Sequence, residues 1–284
     1  MPYNVNQYNT ALYNQGGGFD ITPSTDLVVF NGFSVSNNAT LFVSNILDNM
    51  PERSILGGAT PREDGEYFNA DYWQRKVITI SGWAKGADLC ATEALLDTLR
   101  KELAPPEKFL DITKPACPVR RFTASLVNGE TIFATRQGTD VTFVRWQAQF
   151  LCKTPFSTDR GFTTAAVTIV DTSPVNLSLC NEGTIEAEPI IIMIVDTAAP
   201  DITTINVKNT TNDDEMEITP AGGIGAGDVL ILDSEEKTVK LNGTEIDYIG
   251  SFLTLDVATN LLAFTTTGTA FDYSTTVKWK RRYL

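Results

Sequence analysis

Histidine does not occur in the 284-residue chain. Its absence removes the commonest general base, the Ser-His-Asp and Cys-His nucleophile systems and every zinc site that needs an imidazole. Cysteine is scarce: the four residues, Cys90, Cys117, Cys152 and Cys180, are far apart and form no CxxC pair to grip a metal. Each lies beside apolar or strand-like residues, so buried free thiols are the expected state, with disulfides left open. Long hydrophobic runs are missing too. The longest aliphatic stretch, residues 190–195 (IIIMIV), is far shorter than the roughly 20 residues a membrane-spanning helix needs, and the opening MPYNVNQYNT lacks the basic and apolar regions of an export signal. Sequons at Asn38, Asn176, Asn209 and Asn242 therefore imply no glycosylation.

Positive charge is in deficit, with 22 Lys and Arg against 35 Asp and Glu, a net −13. Residues 1–181 hold 15 against 18 and residues 182–284 hold 7 against 17, so the deficit is −3 in the first part and −10 in the second. A surface that grips nucleic acid or anionic lipid needs Lys and Arg to displace counterions, and the acidic second part is unsuited to either. The one basic run, Lys278 to Arg282, reads as a solvated or inter-subunit strand end.

With 42% apolar residues, the chain can bury proper cores, and its length suits two domains. Residues 77–103, VITISGWAKGADLCATEALLDTLRKEL, contain the one strand-to-helix unit of an otherwise strand-rich pattern. Residues 77–81 alternate at period two; Gly82 and Gly86 are expected to break the strand, and Asp88 to cap a helix. Leu89, Thr92, Leu96, Leu99 and Leu103 then form one stripe that must dock on a sheet. Arg100 and Lys101 suit the negative end of its dipole, and Pro105-Pro106 ends it.

Around this unit the expectations run in chain order. Residues 1–26, rich in Asn, Gln, Tyr and Gly, read either as a frayed terminus or as an arm that Tyr8 and Tyr13, among its aromatics, would anchor on a neighbouring subunit. Residues 27–30 and 39–43 read as a hairpin, and 50–72 as a long exposed loop available for a subunit contact. Residues 121–127 and 130–135 read as a hairpin about Asn128-Gly129. In residues 141–150, Val144, Trp146, Ala148 and Phe150 alternate with Arg145, Gln147 and Gln149, a sheet whose second side faces solvent or a partner. Beyond a loop at 155–164 and a strand at 163–170, the pattern becomes short strands at about ten-residue spacing, as in a β-sandwich. The domain boundary is expected near residue 181.

Four constellations invite a chemical reading. The glycine-rich stretch 222–228 (GGIGAGD) looks superficially like a phosphate loop, but a strand pattern follows where a helix is required. Glu186 and Glu188 share a strand face, as a glycosidase pair would, although alternating acids on a wet face are commoner. Residues 212–215 (NDDE) lack the spacing and glycine of a calcium loop. Trp83, Trp146 and Trp279 read as core or interface residues before they read as a sugar platform. No catalytic residue, metal site or cofactor is expected, and the chain does not read as an enzyme.

The order of elements carries a resemblance: an arm, strands, ITISGWAKGADLCATEALLDTLRKEL, RRFTASLVNGE, VTFVRWQAQFLCKTPF, NEGTIEAEPIIIMI and a closing block from Asp228 to Leu284. In that block Leu241-Asn242-Gly243, Gly250-Ser251-Phe252, Asn260 and the terminal Arg282-Tyr283-Leu284 are the most specific features. The chain resembles the distal tail proteins (Dit) of long-tailed bacteriophages over residues 27–284. The resemblance implies a mainly β fold with one helix: an N-terminal β-sandwich belt domain that forms a hexameric ring, here residues 27–181, and a galectin-like β-sandwich, residues 182–284. It also implies a structural hub in the virion, at the distal end of the tail, assembled in the host cytoplasm. Such a hub joins the tail tube to tip or baseplate proteins and leaves a channel that DNA crosses only in transit, with no membrane insertion. The interface residues expected on these grounds are Arg145, Gln147, Gln149, Tyr8 and Tyr13. The alternative is a carbohydrate-binding adhesin module for host-surface saccharides. The arm is outside the pattern, and 103 residues leave no room for an inserted saccharide-binding module beyond the sandwich itself.

Overall fold

The computed structural model describes residues 26–37, 39–59, 66–127, 135–136, 142–170, 173–198, 201–268 and 270–284. The chain divides into two compact units between Pro155 and Phe156. The first holds β1 (Leu27–Phe30), β2 (Phe33–Ser34), β3 (Leu41–Asp48), β4 (Arg53–Ala59), β5 (Glu66–Trp73), β6 (Val77–Lys85), α1 (Leu89–Leu103), β7 (Lys108–Thr113), β8 (Arg120–Leu126), β9 (Thr135–Arg136) and β10 (Phe143–Cys152). Its main sheet runs β2-β1-β7-β8-β10-β6-β3, with β9 paired to β10, and α1 is the only helix among the described residues.

Helix α1 begins where expected. The Asp88 side chain accepts the Ala91 N–H at 2.8 Å, satisfying a donor that the first turn leaves orphaned. Thr92, Leu96, Leu99 and Leu103 are buried, the three leucines in one core with Val28, Phe30, Trp146 and Phe150. Leu89, in phase with the stripe, is exposed. Thr92 closes that end instead, its hydroxyl reaching the Asp88 and Thr142 carbonyls.

Gly82 does not break β6, which continues to Lys85. It lies opposite Trp146 on β10 and Val43 on β3, and a Cβ there would stand 2.7 Å from the Trp146 ring and 2.0 Å from the Phe42 carbonyl oxygen. The glycine makes room for the indole. Gly86 does end the strand, packed where a Cβ would meet the Thr92 backbone at 2.5 Å.

Three local expectations are corrected. β1 pairs with β2 and β7, and β3 with β6 at the far end of the sheet, so 27–30 and 39–43 form no hairpin. Residues 50–72 are not a loop: β4 and β5 pair antiparallel, with a register irregularity at Leu56/Gly57 that absorbs the glycines. β8 pairs with β7 and β10, and the described end of the return segment, β9, pairs with β10. The Asn128-Gly129 turn lies outside the described residues, as does the arm apart from Asp26.

The second unit holds β11 (Ser157–Asp159), β12 (Thr163–Val170), β13 (Val175–Asn181), β14 (Ile190–Ala198), β15 (Thr204–Asn209), β16 (Glu215–Ile218), β17 (Val229–Asp233), β18 (Thr238–Leu241), β19 (Thr244–Glu245), β20 (Ile249–Gly250), β21 (Ala258–Thr267), β22 (Phe271–Trp279) and β23 (Arg282–Tyr283). Sheets β12-β22-β14-β17-β18-β19 and β13-β21-β15-β16-β20 enclose one core, a β-sandwich as expected. The boundary near 181 is displaced: β12 pairs with β22 and β13 with β21, so both strands before residue 181 are edges of this sandwich. β11 occupies part of the expected loop 155–164 and pairs with β23.

Residues 252–255 form no strand, although Leu253 and Leu255 are fully buried. Side-chain amides take over much of the work of a ladder. Asn209 donates to the Thr254 carbonyl at 2.7 Å, Asn181 donates to that of Leu255 at 3.0 Å, and Asn260 accepts the Asp256 N–H at 2.9 Å. All three asparagines are fully buried and fully occupied, as buried polar groups must be.

Candidate assembly interface

Period-two alternation gives the β10-β6-β3 region a buried face and an open one. Arg145, Gln147 and Gln149 lie on the open face: Arg145 is exposed, and both glutamines are half-buried. Register places Arg145 opposite Trp83, Gln147 opposite Ser81 and Gln149 opposite Thr79 on β6; Phe42, Asn45 and Leu47 of β3 continue the same three rows. One end is aromatic, with Trp83 half-buried, its ring 5.0 Å from that of buried Phe143, and the Arg145 guanidinium 5.9 Å from the Trp83 ring. The other carries exposed Leu47 and Val77. Aromatic residues and arginine on a flat, mostly uncharged sheet surface match the composition of protein contact centres. Structure thus brings Arg145, Gln147 and Gln149 together; Tyr8 and Tyr13 lie outside the described residues. The sequence marks Trp83 as a core or interface residue and leaves Phe42 unmarked; their phase with Arg145 across strands becomes visible once the pairing is known.

The chemical candidates resolve into internal bonding. Glu188 pairs with Lys237 and Arg282, both at 3.3 Å, while Glu186 is exposed with no second carboxylate joined to it. In the glycine-rich stretch Ile224 is buried and bridged to Ile202, β17 follows, and the Asp228 carboxylate accepts the Gly225 N–H and the Asn242 amide. In residues 212–215, the Asp214 carboxylate accepts the backbone and hydroxyl of Thr254, and Lys208 pairs with Asp213 and Glu215. Among the described residues no three His, Cys, Asp or Glu side chains gather as a metal site would require. Trp146 and Trp279 are buried.

The C-terminal basic run is tied inward. Arg281 bonds Asp159 and, at 2.6 Å, Glu182, and the Asp159 bond raises the guanidinium pKa above its ordinary value. Lys280 lies over the Phe162 ring at 4.6 Å and Arg282 over Phe156 at 5.0 Å, so the segment pins β11 to the sandwich. The cysteines depart from expectation. Cys90, Cys117 and Cys180 are exposed, only Cys152 is buried, and all four are unpaired. Cys90 and Cys180 fall on the outer faces of α1 and β13, and Cys117 lies in the connection between β7 and β8.

A helix-bearing β-sheet unit followed by a two-sheet sandwich defines a two-domain, mainly β protein whose sequence-marked polar strand face remains open. Residues 182–283 match the family model of the siphovirus-type tail component, C-terminal domain. The fold is similar over most of the chain to the crystal structure of the Dit protein (gp 19.1) of phage SPP1, described there as a paradigm of hub adsorption apparatus in phages infecting Gram-positive hosts. The TM-score is 0.68 at 13% identity, covering 92% of this chain and 100% of that one. The baseplate of phage p2 in its activated conformation with Sr aligns at a TM-score of 0.44 and 7% identity, covering 90% and 97%. No curated protein matches. The resemblance to distal tail proteins thus holds at two levels, a family domain at the C-terminus and a Dit fold over most of the chain.

Proposed function

We propose that the protein is the structural hub at the distal end of a siphophage tail. It forms a ring, six-fold by the family resemblance, that joins the tail tube to tip or baseplate proteins and leaves a channel for DNA. The observation that carries the reading is the likeness of fold covering all of a Dit protein, together with a C-terminal siphovirus tail-component domain. The open face of β10, β6 and β3 supports it as a subunit contact, and a net charge of −13 keeps a nucleic acid in transit from being trapped. The role is one of geometry and assembly, without catalysis or cofactor. Native mass measurement and negative-stain imaging of the purified chain test it, the expected particle being a closed ring with a central hole. A chain that stays monomeric at tens of micromolar, alone and with a tail-tube template, sinks the reading. A glycan array separates hub from adhesin, since the hub shows no saccharide binding.

A further inference from the structure

The two outer faces of the C-terminal sandwich differ in kind. On the β13-β21-β15-β16 sheet, the outward positions are mostly polar, among them Asn176, Ser178, Thr265, Asn206 and Glu217. On the β12-β22-β14-β17-β18 sheet, Ile190, Ile192 and Ile194 of β14 point outward beside Val229 and Ile231 of β17, with Ile194 44% exposed. None of these five belongs to the core cluster or packs against it. Outward Ser274 and Thr276 of β22 border them on one side and Lys240 of β18 on the other, so the patch is two strands wide and aliphatic at its centre. A contiguous aliphatic patch on a solvated sheet, facing away from a core that is already complete, marks a contact surface.

The charges around the patch identify what fits it. Lys278 stands in the cross-strand row of Ile190 at one end, and Asp272 in the row of Thr197 at the other, with Asp196 at the neighbouring bulge. Six residues along β22 separate Lys278 from Asp272, about 20 Å at strand rise. Among the described residues none of these three makes an ion pair, and Asp272 Oδ1 is buried without a partner. The other charge in the Ile190 row, Asp233, is spent on its own turn, accepting the Glu235 and Glu236 N–H groups, and Lys240, in the Ile231 row, pairs with Glu236 at 4.0 Å. A partner must therefore be flat and aliphatic, with an anion opposite Lys278 and a cation about 20 Å away opposite Asp272. This face meets that description itself. Rotation about an axis across the strands near the Met193 row places Lys278 of each copy over the Asp272 end of the other, and brings Ile192 against Ile194.

We propose that the outer face of the β12-β22-β14-β17-β18 sheet docks a second copy of this chain, face to face, about a two-fold axis. Sheets packed this way lie about 10 Å apart with strands near −30°. The contact is isologous, so it closes on itself and does not extend into fibres. It lies within the C-terminal unit and is independent of ring formation.

The test measures the native mass of the full-length chain as wild type and as Ile194→Lys, Lys278→Asp, Asp272→Lys and the Lys278→Asp/Asp272→Lys double variant. Ile194 is exposed and outside the core, so its variant keeps the wild-type circular dichroism. The expected result is a wild-type particle of twice the Ile194→Lys mass. Each single charge reversal should weaken pairing at least about tenfold, and the double variant should restore it, because like charges juxtaposed in a contact repel and the swap removes them. A fall from twelve chains to six supports the pairing and leaves the ring standing; a fall from two to one supports the pairing and removes the ring. A mass unchanged by Ile194→Lys overturns the proposal, as does a double variant no better than the single ones. A face that serves another tail protein instead leaves the purified chain unpaired, which also overturns it.

Discussion

Gly82 shows how little a single residue type says before its neighbours are known. In the sequence it punctuates a strand; in the fold it is the one position where the Trp146 indole can cross beneath β6 while β3 passes close on the other side. Gly82→Ala places a methyl 2.0 Å from a backbone oxygen that only a shift of β3 can relieve. Overpacking of this kind costs about 1–3 kcal/mol, so the urea midpoint should fall at unchanged slope, and an unchanged midpoint would refute the account. Cys152 is the opposite case, a residue whose burial was foreseen. Desolvation pushes its thiol up to about 12 against an ordinary 9.0, with Lys76 opposing and Asp48 adding. Native protein at pH 8 should therefore lose Cys90, Cys117 and Cys180 to iodoacetamide while Cys152 stays unlabelled until unfolding. Between about pH 9 and 12 the folded state holds a proton that the unfolded chain releases, so stability should fall as pH rises. Cys152→Ala should lose that part of the slope in alkaline denaturation curves.

At the level of elements, alternation was legible and partnership was not. β12 coincides with the strand expected at 163–170, and β10 has the wet and dry sides its residues predict, because side-chain period two is written directly in the residues. Ladder partners are different: β12 meets β22 across 102 to 116 residues and β13 meets β21 across 77 to 89, distances no local pattern reports. Val175, Leu177 and Leu179 alternate as a strand should, but the loss of helical character after them drew the expected boundary to residue 181. A fragment of residues 156–284 should unfold cooperatively. A fragment of residues 182–284 loses Ile169 and Leu179 from the core and opens the edges of β22 and β21, so it should unfold at a lower midpoint or aggregate. Equal midpoints in parallel thermal melts would restore the boundary at 181. Residues 252–255 are apolar enough for a strand, yet one backbone bridge from Leu255 to Ala187 and the buried amides of Asn181 and Asn209 hold them, and no periodicity announces such support.

For the whole molecule, the ring proposal can be dissected on the open face of β10. Reversing Arg145 to Glu and adding Glu at Gln147 places two anions beside Trp83 in the proposed contact. The ring should then dissociate at concentrations at least about tenfold higher than the wild type, each contact centre being worth about 1–2 kcal/mol. Rings of undiminished stability would move the subunit contact elsewhere on the unit.

By itself the sequence determined the mainly β class, the capped and striped helix, the alternating faces of the strands and the uneven charge, and the lack of histidine ruled out the chemistries that need one. Each of these follows from residue type and short-range spacing, which the chain carries in one dimension. Only the tertiary structure decided that Gly82 serves Trp146, that β12 and β13 belong to the second unit, that the C-terminal basic run ties down β11, and that one outer face of the sandwich is aliphatic. Those outcomes depend on which distant segments pair and in which register, and pairing is settled by the burial of whole faces together rather than by any local stretch of the chain.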